Sequence, residues 1–520
     1  MSLETVGSEV AIQENLERFL LVLSVSLTVA TLPQVIKFFR QIPYTLLLVI
    51  VGLGLAFVDV RLVSLSPELI LSIFLPPLLF EAAWNLRWKD LKKDLAPVSL
   101  YAILGVVISV VGIALTLNYW AGIPLTTALL LGASLSATDP VSVIALFREL
   151  GVDKRLSTLM EGESLFNDGV AVVAFSLLVG LALGTQQFEI QSTVANFLVF
   201  VGIGVGLGAL IGFGISYLTQ RFDLPLVEQS LTLVSAYGTY LMVEELGGSG
   251  VIGVVTVGLI LGNFGSRIGM NPRTRMIVSE FWEFLAFFVN SIVFLLIGDQ
   301  IQFSSLAANL DTIAITILAM LVTRAIAIYA LGAFSNFAFK SDISLPEQTV
   351  LWWGGLRGSV SIALALSVPI ILDAREEIIA TVFGVVLFTL LVQGLTTKPL
   401  LESLSLLGSQ SRQQDYFEAI AQCAALNRVL EHLKQESDRP DIEPEFYRYQ
   451  TALVEGQLSN LEKQIEQLRS EEPNLQEFAR SQLRQELLAI EADTYAEFVR
   501  TGRLNKELAP FLQEAIGDEH

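Results

Sequence analysis

Ala137-Thr138-Asp139-Pro140 lies in the middle of an apolar run over 122–147, and Gly354-Gly355-Leu356-Arg357-Gly358-Ser359 lies in another over 347–371. Neither string suits a continuous helix. Proline removes a backbone donor and clashes with the preceding turn, while three glycines and a charge weaken the second run. Both runs are therefore predicted to unwind near mid-length. Unwound backbone at membrane depth is tolerated only where protein covers it or where it lines a wet cavity. The two breaks thus locate a candidate site before any chemistry is considered.

Working outward, the 520 residues are 53% hydrophobic and only 16% charged, against about a quarter charged in an ordinary soluble domain. A plain soluble enzyme is excluded, and a net charge of −20 argues against nucleic acid as a partner. A spanning helix needs about 20 mostly apolar residues. Thirteen such stretches occur, near 17–35, 43–60, 66–85, 96–119, 122–147, 157–183, 193–219, 226–245, 249–264, 280–299, 309–335, 347–371 and 377–397. The expected fold is an all-α polytopic membrane protein with a membrane domain over 1–397. Residues 398–520 hold 13 Lys and Arg against 23 Asp and Glu, and form an acidic, helical tail. Within the tail Val454, Leu458, Leu461, Ile465 and Leu468 step by heptad spacing, which marks one apolar helix stripe. The stripe packs on other tail helices or pairs two copies of the chain. The single cysteine, Cys423, cannot form an intrachain disulfide.

With the N-terminus placed outside, the loops facing the cytoplasm carry 14 basic residues and the opposite loops only Arg61 and Arg375. This asymmetry sets the orientation, and thirteen helices then leave the tail in the cytoplasm. Glu4, Glu9 and Glu14 before the first stretch do not suit a cleaved signal. Helix 5 runs inward and helix 12 outward, each the middle member of a triplet, 4 to 6 and 11 to 13. Opposed triplets with broken central helices fit an inverted-repeat transporter whose site lies at the midplane. Half-helix ends at the breaks carry partial charges, which Asp139 and Arg357 are placed to neutralise.

A charge at mid-bilayer costs at least about 2.5 to 3.5 kcal/mol, so each is a functional candidate. The deep ones are Glu81, Asp139, Glu163, Asp168, Arg324 and Arg357, whereas Glu228, Glu244, Glu245, Glu280, Glu283 and Asp299 fall near predicted helix ends. Both histidines, His432 and His520, are in the tail and no lysine lies in a span, so a proton carrier inside the membrane must be a carboxylate. Asp168 follows Glu163 by five residues, about 500° around a helix, so the two carboxylates face different ways. Arg324 is the expected partner of Glu163, with Arg357 the alternative, because a lone buried charge is far more costly than a paired one. Asp168 is left without a partner. Burial disfavours the charged form of a lone carboxylate, which suits the exchange of a proton for a cation. Asn167 beside it adds hydrogen bonds without charge.

Four strings, Pro76-Pro77-Leu78-Leu79-Phe80-Glu81, Ala137-Thr138-Asp139-Pro140, Gly162-Glu163-Ser164-Leu165-Phe166-Asn167-Asp168 and Gly354-Gly355-Leu356-Arg357-Gly358, appear in the order found in the cation:proton antiporter family. The membrane domain resembles the branch that includes bacterial NhaP and the eukaryotic sodium/proton exchangers. The resemblance implies an NhaA-like inverted-repeat fold, with a scaffold of helices 1–3 and 8–10 that dimerises and a mobile core of helices 4–6 and 11–13. It implies a homodimer in a bacterial-type plasma membrane that exchanges Na⁺, and also Li⁺, for H⁺ by an elevator-like movement. By matched positions Asp168 would take the ion or proton, with Asp139, Thr138, Ser164, Glu81 and Asn167 around it. Glu163 and Arg324 would form a structural pair, and Arg357 would compensate the crossing helices. Asn167 before Asp168, in place of a second aspartate, resembles the electroneutral one-for-one branch.

Oxygen ligands suit K⁺ as well as Na⁺, so K⁺/H⁺ exchange is the alternative within this reading. A cation channel and an intramembrane aspartyl protease using Asp139 and Asp168 are the rivals outside it, although Thr-Asp-Pro and Asn-Asp-Gly are not the protease's expected surroundings. No enzyme chemistry and no cofactor are expected. Gly248-Ser249-Gly250-Val251-Ile252-Gly253 fits a dinucleotide glycine pattern but lacks the preceding strand that such a site needs. The glycines at 202, 204, 206, 208, 212 and 214 are read as helix-packing positions.

Overall fold

The computed structural model describes residues 17, 20–29, 31–32, 42–58, 62, 65–185, 189–220, 224–406, 410–435, 444–471, 487 and 494–495. The regular elements among the described residues are all helices, and each of the thirteen expected stretches coincides with a helix or a pair of half-helices. They are α1 (Leu20–Val29), α2 (Tyr44–Phe57), α3 (Leu69–Asn85) and α4 (Trp88–Ala121). Next come the halves α5a (Leu125–Ser134) and α5b (Val141–Leu150), then α6 (Lys154–Ala182), α7 (Ile190–Thr219), α8 (Pro225–Glu245) and α9 (Gly250–Ser266). α10 (Pro272–Asp299) and α11 (Leu310–Phe339) lead to the halves α12a (Leu345–Trp353) and α12b (Ser359–Leu366), and to α13 (Arg375–Ser403). Six of these, α4, α6, α7, α10, α11 and α13, are long and apolar enough to cross a membrane without interruption. The protein is an all-α polytopic membrane protein.

Helix starts follow the local chemistry of the sequence. The Asp153 carboxylate accepts from the Arg155 amide at 2.6 Å ahead of α6, and Asn271 accepts from the Thr274 amide at 2.7 Å ahead of α10. Ser344 and Glu347 form a reciprocal capping box ahead of α12a, satisfying donors that a helix start leaves open. Left-handed Gly122 (φ 69°) and Gly151 (φ 67°) close the ends of α4 and α5b, a conformation that costs glycine nothing.

The helices pack as two groups. α2 lies along α10, α3 packs on α9 and α10, and α7 and α8 flank α9. α4 packs on α5a and α11, α6 on α5a, and α13 on α11 and α12b. The groups meet where α6 packs on α9 and where α2 meets α5b. Of the α7 glycines, Gly204, Gly208 and Gly212 face α9, so that an added β-carbon would press on Ser249, Gly253 and Ile260, while Gly202, Gly206 and Gly214 face open space. Only the glycines on one helix face, four residues apart, serve close packing; the other three do not.

The chain forms two compact units, residues 1–406 and 407–520. In the second unit α14 (Gln410–Gln435) and α15 (Pro444–Glu471) pack on each other, with Tyr416 and Ala419 of the first and Tyr447, Val454 and Leu458 of the second buried. The apolar stripe thus packs on a tail helix over its first two turns, and its later members, Leu461, Ile465 and Leu468, are half-buried. Pro473, which is expected from the sequence to end the helix carrying this stripe, lies outside the described residues.

Candidate functional site at the crossing of the broken helices

α5 is unwound over 135–140 and α12 over 354–358, and the two breaks cross. The Asp139 amide donates to the Leu356 carbonyl at 2.8 Å, so each unwound strand serves the other. The Asp139 carboxylate accepts from the Val141 amide at 3.1 Å, at the positive end of α5b. Gly358 passes so close to that carboxylate that a β-carbon there would overlap it, which places Asp139 at the start of α12b as well. Arg357 is fully buried and its Nη1 donates to the carbonyls of Ser136 and Ala137, at 3.0 and 2.8 Å. These carbonyls follow the end of α5a. The carboxylate therefore meets helix N-termini and the guanidinium a C-terminus, the arrangement that the helix dipoles favour.

Glu163 of α6 is held by both terminal nitrogens of Arg324, at 3.0 and 3.2 Å. Arg324 also donates to the carbonyls of Leu351 and Trp352, at 2.8 and 3.1 Å. One side chain thus neutralises a buried carboxylate and caps the end of α12a. A β-carbon at Gly355 would fall on the guanidinium, so glycine is the residue that lets the strand approach it.

Asp168 differs. It is 8% exposed, and its Oδ1 is buried without a hydrogen-bond partner among the described residues. It lines a cavity of about 300 Å³ together with Asp139, Thr138, Ser164 and Glu81. The Ser164 hydroxyl donates to the Thr138 carbonyl, which leaves its own lone pairs available. Glu81 is half-buried on α3 and accepts from Asn85 at 2.5 Å. The cavity extends to Arg148, 68% exposed, which pairs with Glu161 at 3.6 Å. A second cavity, of about 10 Å³, lies between Tyr101, Glu163, Asn167 and Arg324.

Asn167 does not line the larger cavity. Its Oδ1 accepts from the Thr138 amide at 3.2 Å and its Nδ2 donates to the Thr138 hydroxyl at 2.6 Å. Both ends of the amide are engaged with Thr138, so the side chain braces the break from outside the larger cavity. Tyr44, Glu161, Glu283 and Asn290 line the cavity without having been singled out as site residues. Glu283 and Asn290 stand seven residues apart on α10, on one face, and an asparagine inside an apolar run was a signal that a search for charge alone passes over.

Residues 23–403 match the family model described as sodium/hydrogen exchanger, transmembrane. The chain is 66% identical over 517 residues to the Na⁺/H⁺ antiporter ApNhaP of Aphanothece halophytica, covering 99% of each chain. It is 59% identical to the low-affinity Na⁺/H⁺ antiporter NhaS1 of Synechocystis sp., over 99% of this chain and 98% of that one. The fold matches the structure of the sodium proton antiporter MjNhaP1 of Methanocaldococcus jannaschii at pH 8 with a TM-score of 0.63 and 20% identity, over 76% of this chain and 99% of that one. Crossed half-helices, a buried carboxylate left unpaired between them and a family match across nearly the whole membrane domain agree, and the chain belongs to the transmembrane sodium/hydrogen exchanger family.

Proposed function

We propose that this protein is a secondary transporter that exchanges Na⁺ for H⁺, one for one, at Asp168. The observation that carries this reading is the unpartnered, buried Asp168 Oδ1 on the wall of an acidic cavity. Ionised, Asp168 attracts a dehydrated Na⁺, which takes further oxygens from Ser164, Thr138, Asp139 and Glu81; protonated, it loses that attraction. The two ions compete for one group, so one replaces the other. Asn167, neutral and occupied by Thr138, adds no second titrating charge, which supports electroneutral exchange. Li⁺ follows Na⁺ by the same oxygen chemistry.

The group of α4–α6 with α11–α13 acts as the moving core against a scaffold of α1–α3 and α8–α10, and the scaffold pairs two copies of the chain. The core reorients only when Asp168 is neutralised by Na⁺ or H⁺, because an uncompensated charge is costly to carry across a bilayer. The N-terminus faces outward, and the acidic tail, which separates after residue 406 rather than at the expected 398 because α13 continues to Ser403, is a cytoplasmic module with a regulatory role at a bacterial-type plasma membrane.

Proton movement in inside-out vesicles with an acid interior tests the exchange. Na⁺ and Li⁺ collapse the gradient at a rate that clamping the membrane potential leaves unchanged. Collapse by K⁺ alone would replace the cation and keep the mechanism, and passive cation flux without proton movement would favour a channel.

Movement of the core is tested at Thr45 and Ser142, whose buried hydroxyls join α2 to α5b at 2.7 Å. Both lie in the first turn of their helix, so their carbonyls four residues back lie outside it. Thiols introduced as Thr45→Cys and Ser142→Cys, with Cys423→Ser, lie within reach of one another. Oxidation is expected to halt exchange and reduction to restore it. Full exchange through a formed cross-link would rule out relative movement of α2 and α5b.

A further inference from the structure

The break in α12 strands a set of backbone groups, and those at the end of α12a can be traced. An α-helix end leaves its last four carbonyls without helical partners, and buried backbone groups must find others. The Val350 carbonyl accepts from the Gly354 amide at 2.7 Å, and the Gly354 carbonyl from the Leu356 amide at 2.9 Å. Leu351 and Trp352 are served by Arg324. The Trp353 carbonyl and the Arg357 amide, on either side of the unwound strand, are both met by α13. Gln393 Nε2 donates to the Trp353 carbonyl at 2.9 Å. The Thr389 hydroxyl accepts from the Arg357 amide at 3.1 Å while donating to the Val386 carbonyl at 2.9 Å.

Thr389 and Gln393 are the first and last residues of a π-helical turn in α13, both fully buried. It is one of five π-helical turns among the described residues, and what sets it apart is the strand its side chains hold. Four residues apart, the two side chains lie on one helix face and grip the unwound strand on both sides of Gly354–Leu356. What they hold is the base of the ion site. Arg357 reaches the Ser136 and Ala137 carbonyls from this anchored backbone, the Leu356 carbonyl receives the Asp139 amide, and Gly358 passes beneath the Asp139 carboxylate.

Resting on Asp168 as the exchange site, we propose that Thr389 and Gln393 are positioning residues for cation binding. They set the height of strand 354–358 and, through Arg357 and Asp139, the placing of the oxygens around Asp168. Neither touches the ion, and both act on how well it is held.

The test is cation-driven proton movement in vesicles carrying the full chain as Thr389→Val, Gln393→Leu or Thr389→Ser. Losing one such hydrogen bond is expected to raise the half-saturating Na⁺ concentration about threefold to tenfold and to change the Li⁺ to Na⁺ preference, in Thr389→Val and in Gln393→Leu alike. Thr389→Ser keeps the hydroxyl and restores the unmutated value. A role confined to folding would lower protein yield and maximal rate together while leaving half-saturation and preference unchanged, and that result overturns the proposal. If Thr389→Val fails to insert, Gln393→Leu gives the same comparison. Asp168→Asn in parallel separates the two ideas: exchange retained there removes the site itself, whereas exchange lost there with Thr389 and Gln393 variants unmoved removes only this inference.

Discussion

Asp168→Asn abolishes both Na⁺-driven and Li⁺-driven proton movement while leaving the protein folded. The amide has the shape of the carboxylate but neither titrates nor carries charge. At 4 Å and an effective dielectric of 20 the attraction between a carboxylate and a monovalent cation is about 4 kcal/mol, so its loss lowers cation affinity by roughly three decades. Proton binding at this position goes with it, because the other carboxylates nearest the break are already engaged, Asp139 by the Val141 amide and Glu81 by Asn85. Folding is expected to gain, since Oδ1 has no partner to lose and burying a charge is costly. The denaturation midpoint in detergent therefore stays or rises while exchange falls to that of empty vesicles. Loss of exchange with a stable fold is the signature of a residue kept for function at the expense of stability. Retained exchange in this variant would end the assignment of Asp168.

Arg324→Leu has the largest expected effect on stability. The substitution leaves Glu163 buried and charged without its partner, and it strands the carbonyls of Leu351 and Trp352. Breaking a buried pair from one side costs about 3–5 kcal/mol, and the two freed carbonyls add to this. The denaturation midpoint is expected to fall steeply, with little protein recovered from the membrane. Adding Glu163→Gln should return part of the loss, because residues in one network do not contribute independently. A double variant no better than Arg324→Leu alone would show that capping α12a, and not neutralising Glu163, is the main task of Arg324.

These two expectations touch residues that were visible in the chain for a simple reason. A charge in an apolar run is conspicuous, and Asp168, Glu163, Arg324 and Arg357 were each found that way. The two breaks were visible because proline and glycine act on their own backbone, without reference to neighbours. What escaped is neutral. Thr389, Gln393, Thr45 and Ser142 look like ordinary polar residues in apolar helices, where such hydroxyls commonly satisfy themselves on the preceding turn. Asn167, expected at the ion site, lies off the larger cavity and binds Thr138 through both ends of its amide, a pairing that no single helix shows.

Residue types and their order along the chain are enough for the helical class, the thirteen apolar stretches, the position of both breaks and the set of ionisable groups available inside the membrane. These depend on hydrophobic length, backbone chemistry and composition, which are local properties. Helix packing settles the rest: that Arg324 and not Arg357 pairs with Glu163, that Asn167 binds Thr138, and that Tyr44, Glu161, Glu283 and Asn290 share the Asp168 cavity. Such pairings depend on the rotation and height of each helix against its neighbours. A shift of one residue turns a helical side chain by 100°, so no reading of one helix alone can supply them.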